Sequence, residues 1–280
     1  MDSLVLGIDA AWTEANPSGI ALVTVVTGHM PQLLRVARTC GEFTSDRILG
    51  ASDWLNTPHL GGPLNINQLL DTIKKYTGAL PSVIALDIPL SPQPIDGRRT
   101  ADNAVSVEYG SRYAGTHTPS FKRVGRVSAD LFEQLSSAGY QWINTTEQVQ
   151  GGGQIRYFLE TYPQPVIIEM LGLEKRLCYK VAKRRKYWPN STPDERWRNI
   201  ASELDRLHSA LATRIAGFAD EVPKVRAILD AAPKSKETAL KGIEDTLDAA
   251  VCALVGCEFL AGQVVPFGDQ SSTIWILRRN

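Results

Sequence analysis

The chain has 280 residues, 43% of them hydrophobic and 21% charged, which is ordinary globular composition with enough apolar material for a sizeable core. Its 30 basic and 30 acidic side chains cancel, so no global field draws it to nucleic acid or an anionic surface, and any basic footprint has to be local. Four scattered cysteines without a CxxC pair argue against a disulfide framework or a structural zinc, and no apolar run reaches membrane-spanning length.

Leu4–Ile8 is a near-continuous aliphatic run and reads as a strand buried on both faces. The turn chemistry of "TEANPSG" (Thr13–Gly19) separates it from a β-branched strand, Ile20–Val26. A second turn, Thr27–Gln32, leads to a third strand, Leu33–Thr39, and short turns between strands predict an antiparallel meander. Beyond a loop holding Gly61, Gly62 and Pro63, the spacing of Ile66, Leu69, Leu70 and Ile73 predicts a helix. "SVIALDIPL" (Ser82–Leu90) is a further apolar strand that again runs into an aspartate, Asp87.

Arg98 to about Tyr109 reads as a helix, Ser111–Ser120 as an ordered loop or lid, and Gln148–Gln154 as a glycine turn. Ile155–Pro163 is strand-like, with Glu160 near its end. Residues 174–237 are charged and lack strand patterns, and are expected to form a helical insertion in a single domain spanning 1–280. Within them Thr192, Pro193 and Glu195 make a capping-box helix start. Trp197, Ile200, Leu204, Leu207, Leu211, Ile215 and Phe218 then follow at steps of three and four, and Pro223 opens a shorter helix through Leu229. A last long helix, about Glu237–Leu260, precedes a closing hairpin of Val264–Asp269 and Ser272–Leu277. With no basic region and long apolar run at the N-terminus, a cytoplasmic location away from membranes is expected.

Four carboxylates stand out by position. Asp9 and Asp87 each end an apolar strand, and Asp245 and Asp248 lie three apart on the last helix, sharing a face, with Lys241 one turn before Asp245. Each has an ordinary explanation: strand-end aspartates cap turns, and a DxxD pair often marks a solvated helix face. The nearly all-apolar "LDAAVCAL" (Leu247–Leu254) instead places the pair at the mouth of a core helix. Two carboxylates on one stripe repel each other unless a cation lies between them. Four such groups suit two Mg²⁺ or Mn²⁺ ions about 4 Å apart, the arrangement for in-line attack on a phosphodiester.

The order of these elements, with "GIDAAW…SGIAL", "ALDIPL", "RRTADNAVSVEYG", "LETYPQ" and "EDTLDAAVCAL", resembles the RNase H-like predicted nucleases of domain-of-unknown-function family 429. The likeness spans most of the chain and is weakest over 174–237. It implies an α/β fold with an RNase H-like mixed sheet, an antiparallel three-strand meander plus parallel strands, flanked by helices. It also implies metal-dependent nuclease activity through Asp9, Asp87, Asp245 and Asp248. Glu160, in Glu160-Thr-Tyr-Pro163, matches the family's E-x-x-P acid, as a fifth ligand or, the preferred role, a structural acceptor. The chain departs from family relatives where Ala10-Ala11-Trp12 replaces a glycine-rich turn.

Around this core, Arg98 and Arg99 are candidate phosphate donors, although Arg99 and Asp102 also read as a surface ion pair at a helix start. "YKVAKRRKYW" (Tyr179–Trp188) sets Lys180, Lys183, Arg184, Arg185 and Lys186 among aromatics, a pattern suited to nucleic acid as well as to a solvated helix face. His117 is a candidate for proton transfer or phosphate contact. The expected activity is therefore Mg- or Mn-dependent phosphodiester hydrolysis of DNA or RNA. The alternatives are a nucleic-acid- or protein-binding scaffold without catalysis, and a sugar-kinase or actin-like ATPase, of which the chain shows only one half. Oligomeric state is left open, a dimer included.

Overall fold

The aliphatic N-terminal run forms strand β1 (Ser3–Asp9), whose Leu4–Ile8 are all buried. It belongs to a computed structural model that describes residues 3–13, 15–46, 54, 60–122, 124–145, 155–230 and 235–279. The expected meander follows: β2 (Gly19–Val25) pairs antiparallel with β1, and β3 (Gln32–Ala37) antiparallel with β2. After a short helix α1 (Cys40–Thr44), the predicted helix forms as α2 (Ile66–Thr77). Asn65 caps it at the start, and Gly78 closes it in the left-handed region at φ 78°.

Strand β4 (Val83–Leu86) then pairs parallel to β1, with Ile8 opposite Leu86. Helices α3 (Thr100–Tyr109) and α4 (Gly125–Ser137), strand β5 (Tyr140–Trp142), strand β6 (Arg156–Thr161) and helix α5 (Pro163–Leu171) come next. A single 3-10 turn (Val181–Lys183) leads to α6 (Arg184–Tyr187), α7 (Pro193–Ala212), α8 (Phe218–Glu221) and α9 (Val225–Asp230). The long helix α10 (Lys236–Leu260) and the hairpin β7 (Val264–Asp269) and β8 (Ser272–Leu277) end the chain.

The result is a mixed eight-stranded sheet flanked by helices, in the order β3-β2-β1-β4-β6-β8-β7, with β5 also paired to β6. Strands β1, β4 and β6 run parallel, so their carboxyl ends share one edge, the edge at which open α/β sheets hold ligands. The two-residue period of a strand sends Leu4, Leu6 and Ile8 to one face, where they pack with α2 and α4. Val5, Gly7 and Asp9 face the other way, toward α10. Val83 and Ala85 of β4 join Val5 in the cluster that contains α10.

Glycines set how closely α10 approaches. A Cβ on Gly7 would lie 2.2 Å from the Ala249 carbonyl oxygen and 2.3 Å from the Ala253 nitrogen, and one on Gly19 would lie 2.1 Å from the Asp245 carbonyl. The helix backbone therefore rests directly on β1 and β2, which carries Asp245 down onto the end of β1. Gly7→Ala is expected to cost about 3 kcal/mol, the upper part of the overpacking range, because the clash is with backbone that cannot rotate away. Urea unfolding checks this, and a midpoint equal to the parent's would show that the contact is softer than the geometry requires.

Two expectations change. The apolar stripe of α7 continues through Ile215 and Phe218, but the helix stops at Ala212. Both residues are fully buried without being part of it, because Ala216 pairs its backbone with Pro31 and Leu33 on the edge of β3. Helices α1, α4 and α5 and strand β5 are additions to the sequence reading. The expected glycine turn at 148–154 lies outside the described residues. Among the described residues no helix is long and apolar enough to cross a membrane.

Candidate active site

Asp9 ends β1 and Asp87 is the first residue beyond β4, its backbone N–H donating to the Ile8 carbonyl at 2.9 Å. That bond joins the two strand ends. From the opposite side α10 presents Asp245 and Asp248, 2% and 0% exposed. They are not a solvated helix face. Asp9 raises the pKa of Asp87, Asp245 and Asp248, in each case after burial as the larger cause, so one group of charges links the four positions.

A fifth acid belongs to the cluster. Glu244 is 2% exposed and lies four residues before Asp248, hence on the same stripe. That spacing was available in "EDTLD", where DxxD drew the attention instead. Glu244 accepts the Val181 N–H at 2.6 Å. Burial would raise its pKa but is outweighed by Lys180 and Lys241, and it lies below the usual glutamate range.

Two lysines stand between these carboxylates. The Lys241 ammonium bonds Glu244 at 2.8 Å and also pairs with Asp245. Lys180 pairs with Asp248 and lies 3.4 Å from Glu244. Tyr179, fully buried, donates its hydroxyl to Asp248 at 2.5 Å. Lys180 is thus a counter-ion inside the acidic cluster, not the free backbone-binding lysine the basic run suggests. With ammonium groups in these places, no three carboxylate, imidazole or thiolate side chains among the described residues stand together as a metal cage. One acceptor is left over: Asp245 Oδ2 is buried with no hydrogen-bond partner among the described residues. An orphaned buried carboxylate oxygen costs free energy unless something cationic or protic meets it.

The remaining candidates divide. Glu160 accepts two bonds from the Arg99 guanidinium, at 2.7 and 2.6 Å, and the Leu90 N–H at 2.8 Å, so its oxygens are committed away from the aspartates. The Arg99–Asp102 pair, expected at the surface, is buried, at 10% and 2% side-chain exposure, because both belong to this network. Arg98 is not aimed at the acids: it bonds Asn103, Ser106, Thr118 and the Asp102 and Thr116 carbonyls, tying the 116–118 loop to α3. Arg184 is likewise engaged, with Glu237 at 2.9 Å and over the Trp197 ring at 4.1 Å. Arg185 is exposed.

Lys183, Lys186 and His117 do reach the acids' surroundings. They line a cavity of about 290 Å³ that also touches Asp87, Lys180 and Trp12. Trp12 therefore lies beside the cluster, as its place just after Asp9 suggests. A larger cavity, about 500 Å³, opens between α7 and α9 and contains none of these acids.

The electrostatics set a pH dependence for the metal-free protein. Burial, with Asp9 and Glu244 against Lys180, brings Asp248 up to about 6, and Asp87 and Asp245 rise well above the usual aspartate range. In the unfolded chain these groups titrate near about 3.9. Between the two values the folded state binds more protons, so its stability falls as pH rises. Glu244, with its lowered pKa, is ionised in both states above about pH 5 and adds no slope there. Lys180 and Lys241, both raised, are charged in both states over this range. Thermal melts without divalent ions are expected to show a lower midpoint at pH 7 than at pH 5. A midpoint that climbs over that interval would contradict it.

Searches of the curated proteins and of the solved structures return no match. A family model covers residues 7–273, from the middle of β1 into β8 and so across every acid of the cluster, and on that match the chain belongs to the family described as Protein of unknown function (DUF429).

Proposed function

We propose that the protein is a divalent-cation-dependent phosphodiesterase acting on nucleic acid, on an RNase H-like sheet with 174–237 as a helical insertion. The observation that carries this reading is the placing of Asp9 and Asp87 at two parallel strand ends with Asp245 and Asp248 on the helix packed across them, near enough for Asp9 to raise the pKa of the other three. The antiparallel β1–β3 meander followed by parallel β4 and β6 supports the RNase H-like assignment.

The donor set is oxygen alone, which suits Mg²⁺ or Mn²⁺. Asp9, Asp87 and Asp245 are the carboxylates left to hold the cation, because Lys180 and Tyr179 already engage Asp248, and they would have to close on it, since no three stand together as a cage among the described residues. When bound it supplies Lewis-acid charge to the scissile phosphate and acidifies the attacking water. The chain's own contribution is to fix the carboxylates by strand register and helix packing. Lys180 and Lys241 keep the cluster from flying apart electrostatically, and cations at its rim meet the substrate's phosphates.

The test is cleavage of single strands, duplexes, hybrids and branched DNA with Mg²⁺ or Mn²⁺, each with a chelated control. Cleavage of none of them sinks the proposal. A second reading, a binding scaffold without catalysis, is favoured by the lysines that fill the spaces between the acids. Calorimetry separates the two: nucleic acid bound, with no uptake of Mg²⁺ or Mn²⁺ at millimolar concentration, selects the scaffold.

A further inference from the structure

The cavity beside Asp87 has a chemistry that the acidic cluster does not use. Its lining includes Arg176, Lys183 and Lys186, none of which has a carboxylate partner within ion-pair distance among the described residues. Arg176 is held in place: its guanidinium donates to the Tyr113 carbonyl at 3.1 Å and lies against the rings of Tyr113 and Tyr187, at 6.0 and 5.1 Å. Burial and the like charges of Arg176, Lys180 and Lys186 lower the pKa of Lys183, against a smaller opposing effect of Glu244, a sign of cations crowded together. Such crowding is costly unless a ligand of opposite charge enters.

The same lining includes Gln164. It is 6% exposed, lines the same cavity, and its Oε1 is buried without a hydrogen-bond partner among the described residues. An amide oxygen in that state asks for a donor from a ligand, such as a sugar hydroxyl or a base amino group. Tyr113 is held at φ 61°, an uncommon backbone conformation for a residue with a side chain, and the residue, which lines the cavity, is 60% exposed. With Trp12 it brings aromatic rings to the lining. At about 290 Å³ the space sits at the lower end of small-molecule sites, roughly 300 Å³ and upward, so it has room for about one nucleotide.

We infer that this cavity binds a single phosphorylated nucleotide unit, with its phosphate at Arg176, Lys183 and Lys186 and a donor of its sugar or base at Gln164 Oε1. The inference rests on the phosphodiesterase reading only in making that unit the unpaired terminal nucleotide of the substrate, next to Asp87. A substrate of that kind has a single-stranded end.

Binding tests it without turnover. The full chain, free of divalent ions, is titrated calorimetrically with thymidine 5′-monophosphate, thymidine and inorganic phosphate. The monophosphate is expected to bind more tightly than either fragment. Lys186→Ala, at the surface, and Lys183→Ala, half-buried, should each weaken it about tenfold, as loss of a charge-assisted contact does. Gln164→Leu should weaken the monophosphate and leave inorganic phosphate unchanged. Asp9→Asn should still bind. No binding of the monophosphate, binding no tighter than inorganic phosphate, or binding unaltered by Lys183→Ala each overturns the inference. Monophosphate binding with no cleavage of any nucleic acid would remove the phosphodiesterase reading and leave the pocket. Equal cleavage of closed-circular and linear single strands, without monophosphate binding, would do the reverse.

Discussion

Asp9→Asn is expected to abolish divalent-dependent cleavage while making the metal-free protein more stable. Asp9 lies in the charge cluster: it raises the pKa of Asp87, Asp245 and Asp248, three repulsions set against its attraction for Lys180 and Lys241, and among the described residues its side chain accepts no hydrogen bond. An asparagine of the same size removes the charge and keeps the packing. The loss in rate should be on the order of a thousandfold or more, about 4 kcal/mol of transition-state stabilisation. The gain in stability should be about 1 kcal/mol, a rise of roughly 2–4 °C in melting temperature for a chain of this size. The opposite signs are the informative part, since a merely structural aspartate would lose both activity and stability when changed. Cleavage equal to the parent's would remove Asp9 from the chemistry. A lower melting temperature would show that some contact of the carboxylate outweighs the repulsion.

The same balance explains which parts of the site are legible in the sequence. A strand buried on both faces must be a continuous apolar run, so β1 and β4 and the aspartates that end them stand out. Helix α10 is equally plain, because a charged first half runs into an apolar second half. Lys180 is a harder case. In the linear sequence it is one of several cations in a row, and nothing local says that it turns inward to Asp248 while Arg185 turns out. Helix α5 hides for another reason: seven of its nine residues are buried, so it has no polar face and no period, and its two prolines look like breakers. Pro163 in fact opens the helix, where a missing N–H costs nothing. The glycines Gly7 and Gly19 carry meaning only once α10 is laid across them. The Arg99–Glu160 pair spans 61 residues, beyond the reach of any periodicity.

That pair supports the second large effect: Arg99→Ala is expected to destabilise the fold by about 3–5 kcal/mol, the cost of breaking a buried ion pair from one side. Arg99 serves two buried carboxylates at once, Glu160 through both terminal nitrogens and Asp102 at 3.1 Å. Even with Arg99 present, burial keeps the Glu160 pKa above its usual range, so without Arg99 the carboxyl would have to take up a proton or draw in water. Glu160 also accepts the Leu90 N–H, and so anchors the segment that follows Asp87. Glu160→Gln keeps an acceptor for Leu90 and leaves Arg99 paired with Asp102; its cost should be smaller, about 1–2 kcal/mol. Because Glu160 faces Arg99, Glu160→Gln should leave Mg²⁺ or Mn²⁺ binding within about threefold of the parent, under 1 kcal/mol. Asp9→Asn should lose that binding. Chemical unfolding and cation titration of the three variants therefore separate the acid that holds the sheet edge from the acid that serves the site. A large loss of cation binding in Glu160→Gln would move Glu160 into the cluster, and an Arg99→Ala protein as stable as the parent would show that water already shares the pair.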